Sequence, residues 1–311
     1  MTTSAEVSVL IANWNTRDLV LRCLDSLAAG LGSVSYETIV VDCGSSDGSA
    51  SSLRARPDVV LVENDLNLGF AAAVNLAYRR SSAPLVLLLN SDVELLPGAI
   101  EVLVRFLDDH PKSGGAAPLY RNPDGSPQPF HFRFPTFLVT LANASAAIRR
   151  LPGMTRRLRT YRMLDDDFSK SRSVPQPSAS CLLLRRACLP GAHVFDERYP
   201  IFFNDVQLAR SFAQAKHELW VTPDSMVLHE GHASTAQLGG RLKRQYVASV
   251  VRMLEDTEPR RNVLLYRALV LLQGLVLLGL RRPTSLAWPD LVAAVRGDPG
   301  QLPSEPLVVV E

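Results

Sequence analysis

An α/β architecture, a mostly parallel sheet with helices on both faces, is what three features of this 311-residue chain predict. Its apolar, β-favouring runs are nearly continuous, as strands buried on both faces require. They alternate with segments whose apolar residues recur at helical spacing. Asn and Asp collect at the carboxyl ends of the runs, which is where an open parallel sheet binds its ligands. A content of 47% hydrophobic and 21% charged residues is ordinary for a core-forming protein, so disorder is not expected.

The elements follow in order. Val7 to Ala12 reads as a strand, and TRDLVLRCLDSLAAG as a helix with Leu19, Cys23, Leu24 and Leu27 on one face and a stop at Gly30. YETIVVD is the second strand, GSSDGSASSLRAR a loop and short helix, VVLVEND the third strand, GFAAAVNLAYRRS a helix and APLVLLLN the fourth strand. A helix from Pro97 to His110 comes next, because proline suits a first helical turn. RNPDGSPQPF has the turn chemistry of a hairpin, and Pro135 to Arg172 shows no clear alternation. PSASCLLLRRACL returns as a strand, helical spacing resumes after Asp205, and ELWVTPDSMVLHEGHAS reads as two short strands ending in a His-rich loop.

The strand ends carry Asn13-Trp14-Asn15, Asp42, Glu63-Asn64-Asp65 and Asn90-Ser91-Asp92. One such residue could be a helix cap; several together suggest a site. No GxGxxG follows the first strand and no GxxxxGK[ST] occurs, which argues against a dinucleotide enzyme and a P-loop ATPase.

Lys and Arg outnumber Asp and Glu by 33 to 31, so net charge identifies no partner, and no nucleic acid is expected. Basic residues do cluster at Arg149 to Arg162, Arg241 to Arg244, Arg260-Arg261 and Arg281-Arg282. They suit phosphate or an anionic membrane, or a solvated face balanced by Asp165 to Asp167. Cys23, Cys43, Cys181 and Cys188 show no CxxC pair, and a reducing cytoplasm fits best. The N-terminus lacks the pattern of a secretion signal. Val263 to Leu280 is the most apolar run, but Arg267 and Gln273 interrupt it. It suits a peripheral helix at the inner face of a membrane, or a buried contact within the chain or a homo-oligomer.

VSVLIANWNTRDLVLRCLDSL, YETIVVDCGSSDGS, ENDLNLGFAAAVNLA, APLVLLLNSDVELLPGAI and FDERYPIFFNDVQLAR together resemble the successive motifs of the inverting family 2 glycosyltransferases with the GT-A fold, most closely their rhamnosyltransferase-like branch. The resemblance runs from about Val7 to Ser234 and thins over Pro135 to Arg172. It implies a GT-A, Rossmann-like domain over residues 1–235 with a variable acceptor-side insert at about 135–172, then a helical extension over 236–311 with the apolar segment 263–280. It also implies transfer of a sugar, with rhamnose in view, from a nucleotide-diphosphate sugar to a glycan or lipid-linked acceptor during cell-surface polysaccharide assembly.

Site residues follow from the same motifs. Asp92 in NSDV stands at the metal-binding acidic element, with Asn90 and Ser91 beside it. His229 resembles the later metal ligand for Mg²⁺ or Mn²⁺, ahead of His232 and His217; His131 and His193 read as structural. Asp42 resembles the contact to the nucleotide base, and Ala12 and Asn13 match the segment lining that base; capping the Gly44-Ser45-Ser46 turn is the plainer role for Asp42. Gly69 would let backbone approach the nucleotide and Asn67 would hold the turn. Asp205 is the expected catalytic base, with a helix cap as its plainer role. Amides at Asn204 and Gln207 replace the family's neighbouring acids. That departure keeps open a degenerate protein that binds nucleotide sugar or glycan without turnover.

Overall fold

The computed structural model describes residues 5–231, 237, 240–279 and 286–302. His232 and Leu280 lie outside them.

The chain runs β1 (Val7–Asn13), α1 (Arg17–Leu31), β2 (Tyr36–Cys43), α2 (Ser49–Arg54), β3 (Val60–Asn64), α3 (Phe70–Arg79), β4 (Leu85–Asn90), β5 (Val93–Leu95) and α4 (Ala99–Asp109). It continues with β6 (Ser113–Arg121), β7 (Pro127–Gln128), β8 (His131–Phe132), α5 (Phe137–Ala144), α6 (Ala146–Arg149) and α7 (Met154–Tyr161). Then come β9 (Arg172–Ser173), β10 (Gln176–Pro177), β11 (Cys181–Arg185), α8 (Asn204–Gln214), β12 (Glu218–His229), α9 (Gly240–Thr257), α10 (Arg260–Gly279) and α11 (Trp288–Val295).

The main sheet has the order β3-β2-β1-β4-β11-β6-β12-β5. β3, β2, β1 and β4 are parallel, β11 runs antiparallel to both its neighbours, β12 is parallel to β6, and β5 closes the far edge antiparallel. Alternate residues of one strand enter opposite cores. Val7, Val9 and Ile11 of β1 pack with Cys23, Leu24 and Leu27 of α1 and Leu103 of α4. Leu10 packs on the other face with Ala73 and Val74 of α3 and Phe212 of α8. This two-sided burial is why the strands read as unbroken apolar runs. A third cluster joins Val250, Val251 and Leu254 of α9 to Tyr266 of α10, Leu291 of α11 and Tyr199, with Phe137 and Leu141 of α5 against it.

Several elements differ from the sequence expectation. α1 does not stop at Gly30 but passes through it to Leu31, with Gly32 at φ 59 beyond the end. A Cβ on Gly30 would lie 2.5 Å from the Leu95 Cβ, so this glycine serves helix-to-strand packing. Pro97 precedes α4 rather than opening it; Gly98 is the N-cap residue. β6 was not expected because SGGAAP lacks large β-favouring side chains, and at Gly115 a Cβ would meet Leu184 at 2.6 Å. The two short runs after Glu218 are one strand, β12, with a register shift between Val221 and Met226. The unreadable insert contains α5, α6 and α7.

Candidate functional site

The site forms where β1, β2 and β4 end side by side. Register pairs Asn13 with Asp42 and Ala12 with Asn90, so their side chains meet beyond the sheet edge. Asn13 Nδ2 donates to Asp42 Oδ1 at 2.7 Å, Ser45 Oγ donates to the same oxygen at 2.7 Å, and the Ser45 N–H reaches Oδ2 at 3.1 Å. Asp42 therefore does hold the turn after β2, and it stands buried behind Asn13. Thr16 Oγ1 donates to Asn13 Oδ1 at 2.7 Å and lies 2.9 Å from Ser91 Oγ, which ties the β1 and β4 ends together.

A cavity of about 300 Å³ opens above these ends. Ala12, Asn13, Asn67, Gly69, Asn90, Ser91, Asp92 and Asp205 all line it, so most of the residues expected from sequence share one wall. Asp42 is not among the lining residues. Two lining residues carry buried polar atoms with no partner among the described residues: Asn90 Oδ1, an acceptor, and Trp14 Nε1, a donor. Buried polar atoms are nearly always paired, so these two suit a polar ligand.

Asn67 Oδ1 accepts the Gly69 N–H at 3.0 Å and so holds the turn into α3. Gly69 sits at φ 80, and a Cβ there would lie 2.9 Å from Leu302 Cδ1 and 3.0 Å from the Pro200 carbonyl oxygen. Its freedom is used for a close approach to the loop before α8.

Asp92 Oδ1 lies 3.5 Å from His229 Nε2, and their side chains are 9% and 3% exposed. His229 ends β12 and pairs with Val93 of β5, and Asp92 is the turn residue just before that strand. The far ring nitrogen, Nδ1, lies 2.8 Å from Gln128 Oε1, which leaves Nε2 for a cation. A carboxylate and an imidazole are fitting ligands for Mg²⁺ or Mn²⁺ once donor oxygens complete the shell. No cluster of three or more His, Cys, Asp or Glu capable of holding a metal occurs among the described residues, so the ligand would supply part of that shell.

Asp205 lies in the first turn of α8, half-buried and facing the cavity. The N-cap position belongs to Phe203, at φ 66 and without a side-chain cap bond, rather than to Asn204 or Asp205. A bulky residue in the left-handed region is strained, and here it starts the helix that aims Asp205. Asp205 Oδ1 accepts the Val206 N–H at 2.8 Å and Oδ2 accepts Gln176 Nε2 at 3.2 Å. Burial outweighs these bonds and pushes the carboxyl pKa up. The absence of neighbouring acids thus does not leave this pKa at its ordinary value. Asn204 lines the cavity, whereas Gln207 turns away and donates to Tyr199 Oη at 3.1 Å.

Sequence reasoning missed Gln176 and Asn75. Asn75, fully buried on α3, accepts the N–H groups of Val194 and Phe195, each at 2.9 Å, and donates to the Phe195 carbonyl at 2.8 Å and Glu197 at 3.0 Å. It clamps the segment leading to α8. The available signal was one amide inside the apolar face of FAAAVNLAY. Of the other histidines, His131 is buried with its pKa lowered to about 4 by desolvation, as suits a structural residue.

The sequence model of glycosyl transferase family 2 matches residues 8–188. An N-acetylglucosaminyl-diphospho-decaprenol L-rhamnosyltransferase of Mycobacterium tuberculosis is 31% identical over 216 residues, 64% of this chain and 68% of that protein. Among solved structures, a mannosyltransferase from Pyrobaculum calidifontis in complex with GDP-Man and Mn²⁺ superposes with a TM-score of 0.54 at 18% identity, covering 97% of this chain and 78% of that one. TarS of S. aureus gives 0.51 at 15% identity, covering 94% and 70%. At these identities the structures share the fold.

Proposed function

The chain belongs to glycosyl transferase family 2, and from that membership we propose that it moves L-rhamnose from a nucleoside-diphosphate donor to a lipid-linked saccharide, with inversion at the anomeric carbon. The relative from Mycobacterium tuberculosis supports the sugar and the acceptor class. The observation that carries the reading is that Asp92 and Asp205 share one cavity, with His229 behind Asp92.

In this reading Asp205 removes the proton of the acceptor hydroxyl as its oxygen attacks the anomeric carbon, and the bond to the diphosphate breaks on the opposite face. Asp92 and His229 would hold a divalent cation, Mg²⁺ or Mn²⁺, which when bound would supply charge to offset that on the departing diphosphate. Ala12, Asn13, Asn67, Gly69, Asn90 and Ser91 surround the donor, and Asp42 fixes Asn13 from behind. The raised pKa of Asp205 favours a base strong enough for the task. Gln207 replaces an acid outside the cavity, so of the two amides only Asn204 changes its wall. A protein that binds without turnover is therefore the less favoured reading.

The proposal divides the chain into a transferase domain to about residue 235 and a helical extension. It also gives α10 a membrane surface. Among the described residues this is the one helix long and apolar enough to cross a membrane by length and composition. Its Val263, Tyr266 and Val270 pack inward, while Leu264, Leu272 and Leu275 stay more than half exposed. Arg267 is also turned to the protein, donating to the Val295 carbonyl at 2.8 Å. A helix with one packed face and one bare apolar face suits the plane of the cytoplasmic leaflet, where a lipid-linked acceptor is presented.

Donor and acceptor are tested together by incubating the protein with UDP-, TDP- and GDP-sugars, Mg²⁺ or Mn²⁺, and polyprenyl-diphosphate saccharides. The expected result is transfer from a rhamnose donor with an inverted linkage by NMR. Nucleotide binding without transfer or hydrolysis across the whole panel would sink the enzyme reading.

A further inference from the structure

The β6–β7 hairpin carries a chain of hydrogen bonds whose directions are all fixed by chemistry. It begins at the exposed Asp124, whose carboxylate can only accept, and Ser126 Oγ donates to Asp124 Oδ1 at 2.6 Å. With its proton committed there, Ser126 Oγ accepts from Asn122 Nδ2 at 2.8 Å. Asn122 consequently presents its oxygen to Gln128, whose Nε2 donates to Asn122 Oδ1 at 2.9 Å. The same Nε2 donates to the His229 backbone carbonyl at 3.2 Å, a second acceptor that opposes a flip of the amide. Gln128 Oε1 is then what faces His229 Nδ1 at 2.8 Å, so that ring nitrogen carries the proton. His229 Nε2, 3.5 Å from Asp92 Oδ1, is the ring nitrogen turned toward that carboxylate.

We propose that Gln128 is a positioning residue for the sugar transfer, holding His229 as the Nδ1–H tautomer so that Nε2 and Asp92 Oδ1 face a divalent cation together. The proposal rests on the cation reading of Asp92 and His229. Packing and proton placement have separate causes here. The ring is seated by Phe130, at 4.8 Å between centroids, and by Tyr120, at 5.8 Å, both edge-on. Neither aromatic ring can decide which nitrogen is protonated. With Nδ1 engaged by Gln128, Nε2 is the ring nitrogen that can join Asp92 Oδ1 on one cation. The far end of the chain, at Asp124, is on the surface, so the tautomer of a buried ligand is set by a turn in solvent.

The test uses the full chain and two readouts. Nitrogen-15 NMR of the imidazoles, with His229 assigned by its absence in His229→Ala, reads the tautomer without metal. Mn²⁺ titration followed by electron paramagnetic resonance, at saturating nucleoside diphosphate, reads the site. Gln128→Met keeps size but has no acceptor oxygen. It should lose the fixed Nδ1–H tautomer and weaken Mn²⁺ binding by about 10–100-fold, the usual cost of a lost outer-shell partner. Gln128→Glu keeps an acceptor at the same reach and should retain both the tautomer and most of the affinity, which a merely structural role for Gln128 would not explain. Wild-type tautomer and Mn²⁺ affinity in Gln128→Met, or an equal loss in Gln128→Glu, would overturn the proposal. Failure of the cation reading shows differently, as a wild-type protein that binds nucleoside diphosphate and no Mn²⁺.

Discussion

Gln176 Nε2 donates to Asp205 Oδ2 at 3.2 Å while the Val206 N–H holds Oδ1 at 2.8 Å, so each oxygen of the cavity's carboxylate is fixed by one donor. Asp205→Asn keeps the shape of that arrangement and removes the base. Transfer should fall by about 10²–10⁴-fold, the usual contribution of a positioned base, while nucleotide affinity persists. Turnover and calorimetric binding measured on the same preparation check this. Wild-type turnover would remove Asp205 from the mechanism.

The same carboxylate sets a pH dependence whose sign can be worked out. Burial raises its folded pKa, and a base must be ionised to act, so activity falls as pH drops through a value above the ordinary carboxylate range. Gln176→Leu removes a donor that favours the charged form, and the acid limb of the kcat profile should move to higher pH. Stability runs the other way. A raised folded pKa gives stability that is fully present below the unfolded pKa, about 3.9, and is lost as pH rises through the folded one. Asp205→Asn should therefore raise the melting temperature at pH 7, by a margin that shrinks toward pH 3. A lower melting temperature at pH 7 would contradict the burial argument.

Removing the cation, or one of its ligands, should act on turnover before fold. EDTA should abolish transfer, and Mn²⁺ or Mg²⁺ should restore it. Asp92→Asn should weaken Mn²⁺ binding at least tenfold while circular dichroism stays unchanged. Transfer that continues in EDTA would separate Asp92 from any metal role.

Gly69→Ala puts a Cβ into contact distance of Pro200 and Leu302 at a φ of 80 with ψ 163, a region that only glycine occupies readily. Strain of about 1–3 kcal/mol, together with crowding, should lower the denaturant midpoint and raise KM for the donor. An unchanged midpoint would mean that the Pro200 loop yields freely.

Membrane contact through α10 is testable without shortening the chain. Replacing Leu264, Leu272 and Leu275 by Glu alters only its exposed face, so the protein should remain folded. Sedimentation with vesicles of phosphatidylethanolamine and phosphatidylglycerol should be lost. Equal sedimentation of both proteins would assign that face to some other contact.

Much of this was legible in the sequence, for physical reasons. Strands such as LVLLLN declare themselves because both faces are buried, whereas Asp92 and Asp205 were singled out through the motifs NSDV and IFFNDVQLAR and their family resemblance, and the two side chains line one cavity. β6 stayed hidden because close packing there demands glycine and alanine, which read as turn or helix. Asn75 left only the faint signal of one amide on an apolar helix face, and Gln128 and Gln176 stayed hidden because an amide carries no charge to betray it. Its meaning lies in partners far along the chain, 101 residues away for Gln128 and His229. Asp42 was read both as a base contact and as the cap of its turn, and its bonds from Asn13 and Ser45 hold that turn.

The pairing of β12 with β5 in register, His229 opposite Val93, has a consequence for how such a protein can change. The Asp92 and His229 main chains are held at a spacing fixed by strand-to-strand hydrogen bonding, which substitutions on the surrounding wall do not alter. In the proposed reading, segments carrying Trp14, Ser178 to Ser180 and Phe202 to Asn204 could therefore drift toward other sugars and other acceptors while the pair proposed to hold the cation stays put. Novelty in substrate and constancy in chemistry are assigned to different parts of the backbone.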